Sequence, residues 1–210
     1  MKTSVVIIDD DTLLASSLSA GLRAWGLEVT GSFPNAAGVV QHAVSTNTDV
    51  AIVDFDLGPG PTGIDLARAL RERVPTIGIV ILTTYSDPRL KTSGLPALPK
   101  GAAYVTKTSV GDVADLARVV DKVARNPMSG NEVRNDLAVL DLTATQLDIL
   151  RSVAHGLTTT QIASDRGVST KAVEQHLKKI YDVLKLPRGT EMNQRVHLVR
   201  EYLSRAGLLD

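Results

Sequence analysis

The chain contains no cysteine among its 210 residues. Disulfides and thiolate metal sites are therefore excluded. Histidine occurs four times, as His42, His155, His176 and His197, without ligand spacing, so no zinc site is expected. Aromatics are scarce: one Trp, four Tyr and two Phe. The core must then be built from Val, Leu, Ile and Ala. No apolar run approaches the ~18 residues that span a bilayer, so no membrane partner is expected. Acidic residues follow the short run Val5–Ile8 directly, and no signal peptide is read there. A cytoplasmic location is the expectation. A Gly-Lys-Ser/Thr run is also missing, which excludes a P-loop nucleotide binder.

An excess of charge is missing too. Lys plus Arg and Asp plus Glu both number 23, and the formal net charge is zero. With 43% hydrophobic and 22% charged residues, the composition is that of a globular protein rather than a disordered one. The length suits one large domain or two small ones. Neutrality hides a local asymmetry. Residues 166–188 hold Arg166, Lys171, Lys178, Lys179, Lys185 and Arg188 against only Glu174 and Asp182. Whole-chain neutrality therefore does not argue against nucleic acid.

The first part of the chain alternates strand and helix signals. Apolar runs at Ser4–Ile8, Val50–Val53, Ile77–Leu82 and Ala103–Val105, with a weak candidate at Glu28–Gly31, read as strands. Residues 12–25, 35–45, 64–73 and 110–125 read as helices. Five strands alternating with helices predict an α/β fold, a doubly wound five-stranded parallel sheet. Right-handed crossovers put every strand's carboxyl end on one edge, where such folds bind ligands. Asp9, Asp10, Asp54, Thr83 and Lys107 all fall at or just past a strand's carboxyl end. Residues 86–100 break the pattern. Pro88, Gly94, Pro96 and Pro99 make a regular helix implausible there, and a short or irregular segment is expected.

Paired carboxylates at one strand end, with a third from a neighbouring strand, suit a hard cation. Magnesium takes oxygen ligands and keeps waters that phosphate oxygens can replace. Asp10 and Asp54 are candidate ligands, and the backbone carbonyl of Asp56 is a candidate third. A carboxylate beside Mg²⁺ can attack a phosphoryl group. Lys107 and the Thr83 hydroxyl would then stabilise the transferred oxygens. Each residue alone has an ordinary explanation. Asp runs after strands often cap helices, and a lone Lys or Thr at a strand end is commonplace. The inference rests on five such groups meeting on one edge.

Residues 1–125 resemble a response-regulator receiver domain, with a flavodoxin-like fold. The matching runs are IIDDD at 7–11, DVAIVDFDL at 49–57, ILTTY at 81–85 and GAAYVTK at 101–107. The resemblance implies that Asp54 is the phosphoacceptor and Asp10 a metal ligand, with Asp9 assisting. It implies that Lys107 and Thr83 read the phosphoryl group, and that Tyr104 is the aromatic that changes rotamer on activation. Tyr104 also has an ordinary reading, as a core or surface aromatic. Three departures stand out. Gly58 replaces the usual Pro after the acceptor strand, in a loop one residue longer. Thr108 replaces the common Pro after Lys107. The helix at 86–100, part of the usual signalling face, is degraded.

Residues 126–141 carry Pro127 and Gly130 with little periodicity and read as a linker. Beyond them the pattern is all-α, a second, smaller domain at 142–210. A helix over Leu142–Leu157 is capped by Thr143 and stopped by Gly156. A short helix at Thr160–Asp165, a turn at Gly167 and a long helix capped by Ser169 and reaching about Leu186 make a helix-turn-helix. On the long helix Val173, Leu177, Ile180 and Leu184 form a core stripe. Lys171, Gln175, Lys178 and Asp182 lie opposite. A basic and amide-bearing face suits the major groove, with Lys178 and Lys179 on phosphates and Gln175 on an adenine edge. An ordinary solvated face is the alternative.

Residues 142–186 resemble the LuxR/NarL-type DNA-binding domain, in the run GLTTTQIASDRGVSTKAVEQHLKKIYDVLKL. His176 is then structural. The departures are Thr145-Gln146 where the family has Arg-Glu, and Glu174 at a position often basic. DNA contacts therefore shift toward Lys171, Gln175, Lys178 and Lys179. A last helix at 192–208 shows Met192, Val196, Val199, Leu203 and Ala206 at helical spacing. The family dimerises through it; simple packing is the other reading.

Together these features predict a DNA-binding response regulator of a two-component system, not an enzyme. Its partners would be DNA, a cognate sensor histidine kinase and a second copy of itself, and its cofactor Mg²⁺. A phosphorylation-independent dimeric transcription factor is the alternative, motivated by the degraded 86–100 segment. Asp54-Phe55-Asp56 also resembles the nucleophile motif of haloacid dehalogenase-type phosphatases. That motif normally sits on the first strand, and it would leave residues 142–186 unexplained.

Overall fold

The computed structural model describes residues 2–91, 95–129, 136, 140–187 and 193–208. Two compact units are present: residues 1–83 with 96–137, and residues 84–95 with 138–210. The division is thus not a single cut within 126–141, because a short internal segment goes with the C-terminal unit.

The first unit is a five-stranded all-parallel sheet in the order β2-β1-β3-β4-β5. Its strands are β1 (Ser4–Ile8), β2 (Glu28–Phe33), β3 (Val50–Asp54), β4 (Gly78–Thr83) and β5 (Ala103–Thr106). Helices α1 (Thr12–Ala24) and α4 (Val113–Arg125) meet on one face of the sheet. On the other, α2 (Val39–Thr46) meets α3 (Gly63–Arg73). Covering both faces buries β3 and β4 along their whole length. That is why these strands read as unbroken apolar runs rather than alternating ones.

The helices start where a side chain can satisfy their free N–H groups. Asp11 accepts from Leu13 and Leu14 at the head of α1. Thr62 and Asp65 form a reciprocal capping box on α3. Asp112 caps α4. The helix expected at 35–45 begins later, at Val39. Asn35 instead accepts the N–H of Ala37, and Gly38 takes a left-handed conformation with φ of 74°. Both divert the chain into a turn first.

The second unit holds α5 (Ala144–Ala154), α6 (Thr159–Arg166), α7 (Thr170–Val183) and α8 (Gln194–Arg205). Thr143 caps α5 and Gln146 answers it, its side chain accepting the Thr143 N–H at 2.8 Å. The Gln146 departure is therefore a capping-box partner. Gly167, with φ of 64°, makes the turn between α6 and α7, and Ser169 caps α7. Val173, Leu177, Ile180 and Leu184 are buried as expected. The buried side of α8 keeps Val199, Leu203 and Ala206 of the expected stripe against the core and adds Leu198 and Tyr202. Leu198, Tyr202 and Ala206 are buried, and of the expected residues Val196 alone among those described is exposed, at 55%. Met192 lies outside the described residues. The expected irregular segment after β4 contains one 3₁₀ turn, Pro88–Leu90. Among the described residues, no helix is long and apolar enough to cross a membrane.

Register places the candidate residues. Ile8 pairs with Val53, Asp54 with Leu82 and Thr83 with Thr106. The strand ends are therefore level. Gly63 closes the loop that leaves β3: its N–H donates to the Phe55 carbonyl at 2.9 Å, and a Cβ there would lie 2.0 Å from the Asp54 carbonyl oxygen. We expect Gly63→Ala to lower unfolding free energy by about 1–3 kcal/mol, the usual range for overpacking. Urea denaturation checks this, and a change below about 0.5 kcal/mol would contradict the tight packing.

Candidate functional site

At the carboxyl edge of the sheet, Asp9 and Asp10 directly follow β1, and Asp54 ends β3. One oxygen from each of these three carboxylates lies within 4.8 Å of the others. Asp9 and Asp54 are buried and Asp10 is exposed. Lys107, just past β5, joins the two buried groups. Its Nζ donates to Asp54 Oδ2 at 2.6 Å and to Asp9 Oδ2 at 2.9 Å. The remaining oxygens are held by backbone. Asp9 Oδ1 accepts from the Asp11 N–H at 3.0 Å, and Asp54 Oδ1 from the Asp56 N–H at 3.2 Å. Asp11, third of the acidic run, uses its carboxylate as the cap of α1 and meets the cluster only through its N–H.

Burial dominates the electrostatics. It pushes the Asp54 carboxyl up to about 6, against the pull of the Lys107 hydrogen bond and charge and with a push from Asp9. Burial also works to lower the Lys107 pKa. The hydrogen bonds and charges of Asp54 and Asp9 outweigh it, so the ammonium is held above its ordinary range.

Donors made only of oxygen, three of them carboxylates, fit a hard divalent cation. Asp9, Asp10 and Asp54 are placed for it. Asp56 is half-buried beside them, anchored by its own N–H. Thr83 is fully buried at the end of β4, and Tyr104 is fully buried in β5. A wide cleft of about 690 Å³ opens next to Asp10, lined among others by Pro34, Asn35, Leu57, Gly58 and Pro61. The longer loop noted in the sequence, with Gly58 in place of Pro, thus forms one wall of the cleft that Asp10 lines.

One residue was missed. Asp136, read as featureless linker, adds to the free edge of β5. Its N–H donates to the Tyr104 carbonyl at 2.9 Å, and its carboxylate accepts from the Thr106 N–H at 3.0 Å and from the Ser109 hydroxyl. It so ties the backbone just before Lys107 and the Ser109 side chain just after it. Nothing local marks it, since a lone Asp in a weakly periodic stretch carries no pairing signal.

In the second unit Lys171, Gln175, Lys178 and Lys179 are all exposed on α7. Glu174 is exposed among them. One member of the basic run has an acidic partner in the unit. Arg166 is paired with Asp148 at 3.5 Å, and Arg188 lies outside the described residues.

Residues 5–122 match the family described as response regulator receiver domain, and residues 140–196 the bacterial regulatory proteins of the luxR family. The chain is 32% identical to the probable transcriptional regulatory protein SgaR of Hyphomicrobium methylovorum, over 87% of each protein. It is 26% identical to the transcriptional regulatory protein FixJ of Azorhizobium caulinodans, over 86% of this chain and 85% of that one. Among solved structures, RcsB from Salmonella enterica serovar Typhimurium, bound to promoter rprA in the presence of the phosphomimetic BeF3-, has the same fold. The TM-score is 0.56 at 19% identity, covering 97% of this chain and 99% of that one. The receiver match alone spans more than half of the chain, and the buried Asp9–Lys107–Asp54 cluster sits on its strand ends. The chain therefore belongs to the response regulators, with a receiver domain followed by a luxR-family DNA-binding domain.

Proposed function

We propose that this protein is a DNA-binding regulator switched by phosphoryl transfer from a sensor histidine kinase to Asp54, which favours a DNA-binding dimer. The observation that carries this is the Lys107 ammonium bonded at once to Asp54 and Asp9. A carboxylate oxygen of Asp54 attacks the phosphorus of a phosphohistidine. The P–O bond forms as the P–N bond breaks, leaving an acyl phosphate on Asp54 and a free imidazole on the kinase. Lys107 turns from the carboxylates to the transferred oxygens, and Thr83 donates to the same group. Asp10 and Asp54, the Asp56 carbonyl and, in an assisting role, Asp9 would hold Mg²⁺. That ion, when bound, offsets charge on the phosphoryl oxygens. Tyr104 would change its packing on activation. The cleft beside Asp10 admits the partner's histidine.

On the DNA side, Lys171, Lys178 and Lys179 would contact phosphates or base edges, and Gln175 an adenine. These assignments belong to residues 142–210, downstream of a receiver at 1–125 and a linker at 126–141. A cytoplasmic site of action fits these partners.

The main test is acetyl phosphate with Mg²⁺. We expect wild type to gain one phosphoryl group by mass and to bind DNA more tightly, and Asp54→Asn to do neither. Tight DNA binding and dimerisation by both, without phosphoryl uptake, would favour the alternative: a phosphorylation-independent dimer. The folding of residues 84–95 with the second unit is the observation in that alternative's favour.

The raised Asp54 pKa has a consequence in metal-free protein. Its folded value of about 6 lies above the ordinary 3.8. The folded state therefore holds the proton more tightly than the unfolded chain. This contribution to stability is fully present below about pH 4 and is lost as pH rises through 6. In EDTA, Asp54→Asn should gain stability relative to wild type between pH 4 and pH 7, by about 1–3 kcal/mol. Urea melts at the two pH values check this. Equal melts at both would mean that Lys107 cancels the burial penalty.

For DNA, we expect Lys178→Ala with Lys179→Ala to weaken binding across all sequences. The slope of log K against log salt should fall by about 2. Gln175→Ala should instead relax preference at a single base pair, by about 1–3 kcal/mol in a random-pool selection.

A further inference from the structure

Thr83 ends β4 in the first unit, and Thr84 begins a segment that folds with the second. That segment is wired into the helical core there. Leu90 is fully buried in the same apolar cluster as Leu142, Leu147, Leu150 and Tyr202. The Tyr202 hydroxyl of α8 donates to the Leu90 carbonyl at 3.1 Å. The Ser86 N–H donates to the Arg205 carbonyl at 3.0 Å, and the Ser86 hydroxyl reaches the same oxygen at 3.2 Å. From α5, Arg151 donates to the Arg89 carbonyl at 3.0 Å. Asp87, with no exposed surface, accepts from the Arg89 guanidinium at 2.7 Å and from the Leu140 N–H at 3.0 Å. Arg89 in turn donates to the Leu140 carbonyl at 2.6 Å.

Two physical facts follow. A single 3₁₀ turn has no stability of its own, so Pro88–Leu90 takes its position from what it packs on. Asp87 and Arg89 each bond the Leu140 backbone, and that contact resists gradual displacement, because moving the segment off leaves buried polar groups without partners. The segment is therefore either seated or released. Its first residue is one peptide bond from Thr83.

We propose that Thr84–Leu90 is an output strap: it seats on the end of α8 in the resting protein and is unseated when Thr83 is drawn to a phosphoryl group on Asp54. This rests on the phosphoacceptor reading above. What the strap holds is the carboxyl end of α8. Arg205 accepts from Ser86, and Gly207 lies against Thr84. Release frees this end of the helix for association with a second copy. Gly207 has the room this contact needs only because it is glycine. A Cβ there would lie 2.7 Å from Thr84 Cβ and 2.8 Å from the Thr84 carbonyl oxygen.

A chain without cysteine permits a clean lock. The Ser86 N–H and hydroxyl both reach the Arg205 carbonyl, so a cysteine pair at these two positions is the lock to build, its closure read first by intact mass without reductant. The full-length pair Ser86→Cys with Arg205→Cys is treated with acetyl phosphate and Mg²⁺, oxidised and reduced. Intact mass reads phosphoryl uptake, and sedimentation reads self-association. Both forms should take up one phosphoryl group, and only the reduced form should dimerise, at least ten-fold more tightly than the oxidised one. Gly207→Ala is the opposite test. Wedged against Thr84, it should raise dimerisation without phosphoryl about ten-fold and speed hydrogen exchange at the Ser86 amide. Equal dimerisation of oxidised and reduced phosphorylated pairs overturns the strap while leaving the phosphoacceptor intact. So does a faster Ser86 amide in Gly207→Ala with no gain in association. Absence of phosphoryl uptake in wild type and both variants overturns the phosphoacceptor reading, and the strap with it.

Discussion

Two carboxylates buried side by side at the ends of neighbouring strands are the constraint around which the first unit is organised. Asp9 and Asp54 leave water where β1 and β3 end, and one ammonium answers both. The compensation works only if three strands finish level, because Lys107 follows β5, two places along the sheet from β3. Strand register is therefore part of the electrostatics. Slipping one strand by a residue would turn its apolar side chains over and strand a buried charge at once. The compensation is also incomplete. Burial still outweighs Lys107 at Asp54, whose carboxyl remains near 6. A site that stays short of positive charge gains from any cation or polarised group that enters it, which is the property a phosphoryl-accepting carboxylate needs.

Much of this was legible in the chain because the signals are local. β3 and β4 read clearly since both their faces are buried. The caps Thr143 and Ser169 read clearly because a side chain and the next few N–H groups suffice to make a cap. The α7 stripe survives for the same reason. What was lost depends on partners far along the chain. Asp136 matters through Thr106, thirty residues away, and Asp87 through Leu140, fifty-three away. Arg166 counted as free positive charge until Asp148 was found beside it. On α8 the spacing allowed two faces, and only packing chose Leu198 and Tyr202 over Val196.

The Pro and Gly residues of 86–100 mattered in another way. Read alone, they subtract a helix. In the structure, that subtraction lets the chain go elsewhere. A full helix after β4 would have its own hydrogen bonds and an amphipathic face to settle on the sheet. One turn headed by Asp87 and Pro88 has neither, so its energy comes from Leu90, Arg89 and Asp87 meeting the second unit. An element without intrinsic stability moves as its contacts dictate. Placed one bond from Thr83, it is better suited to sensing a small shift at the sheet edge than a rigid helix would be. A helix absorbs a displacement of its first residue by fraying that end alone, whereas a strap pinned through Asp87 and Arg89 to the Leu140 backbone passes it on.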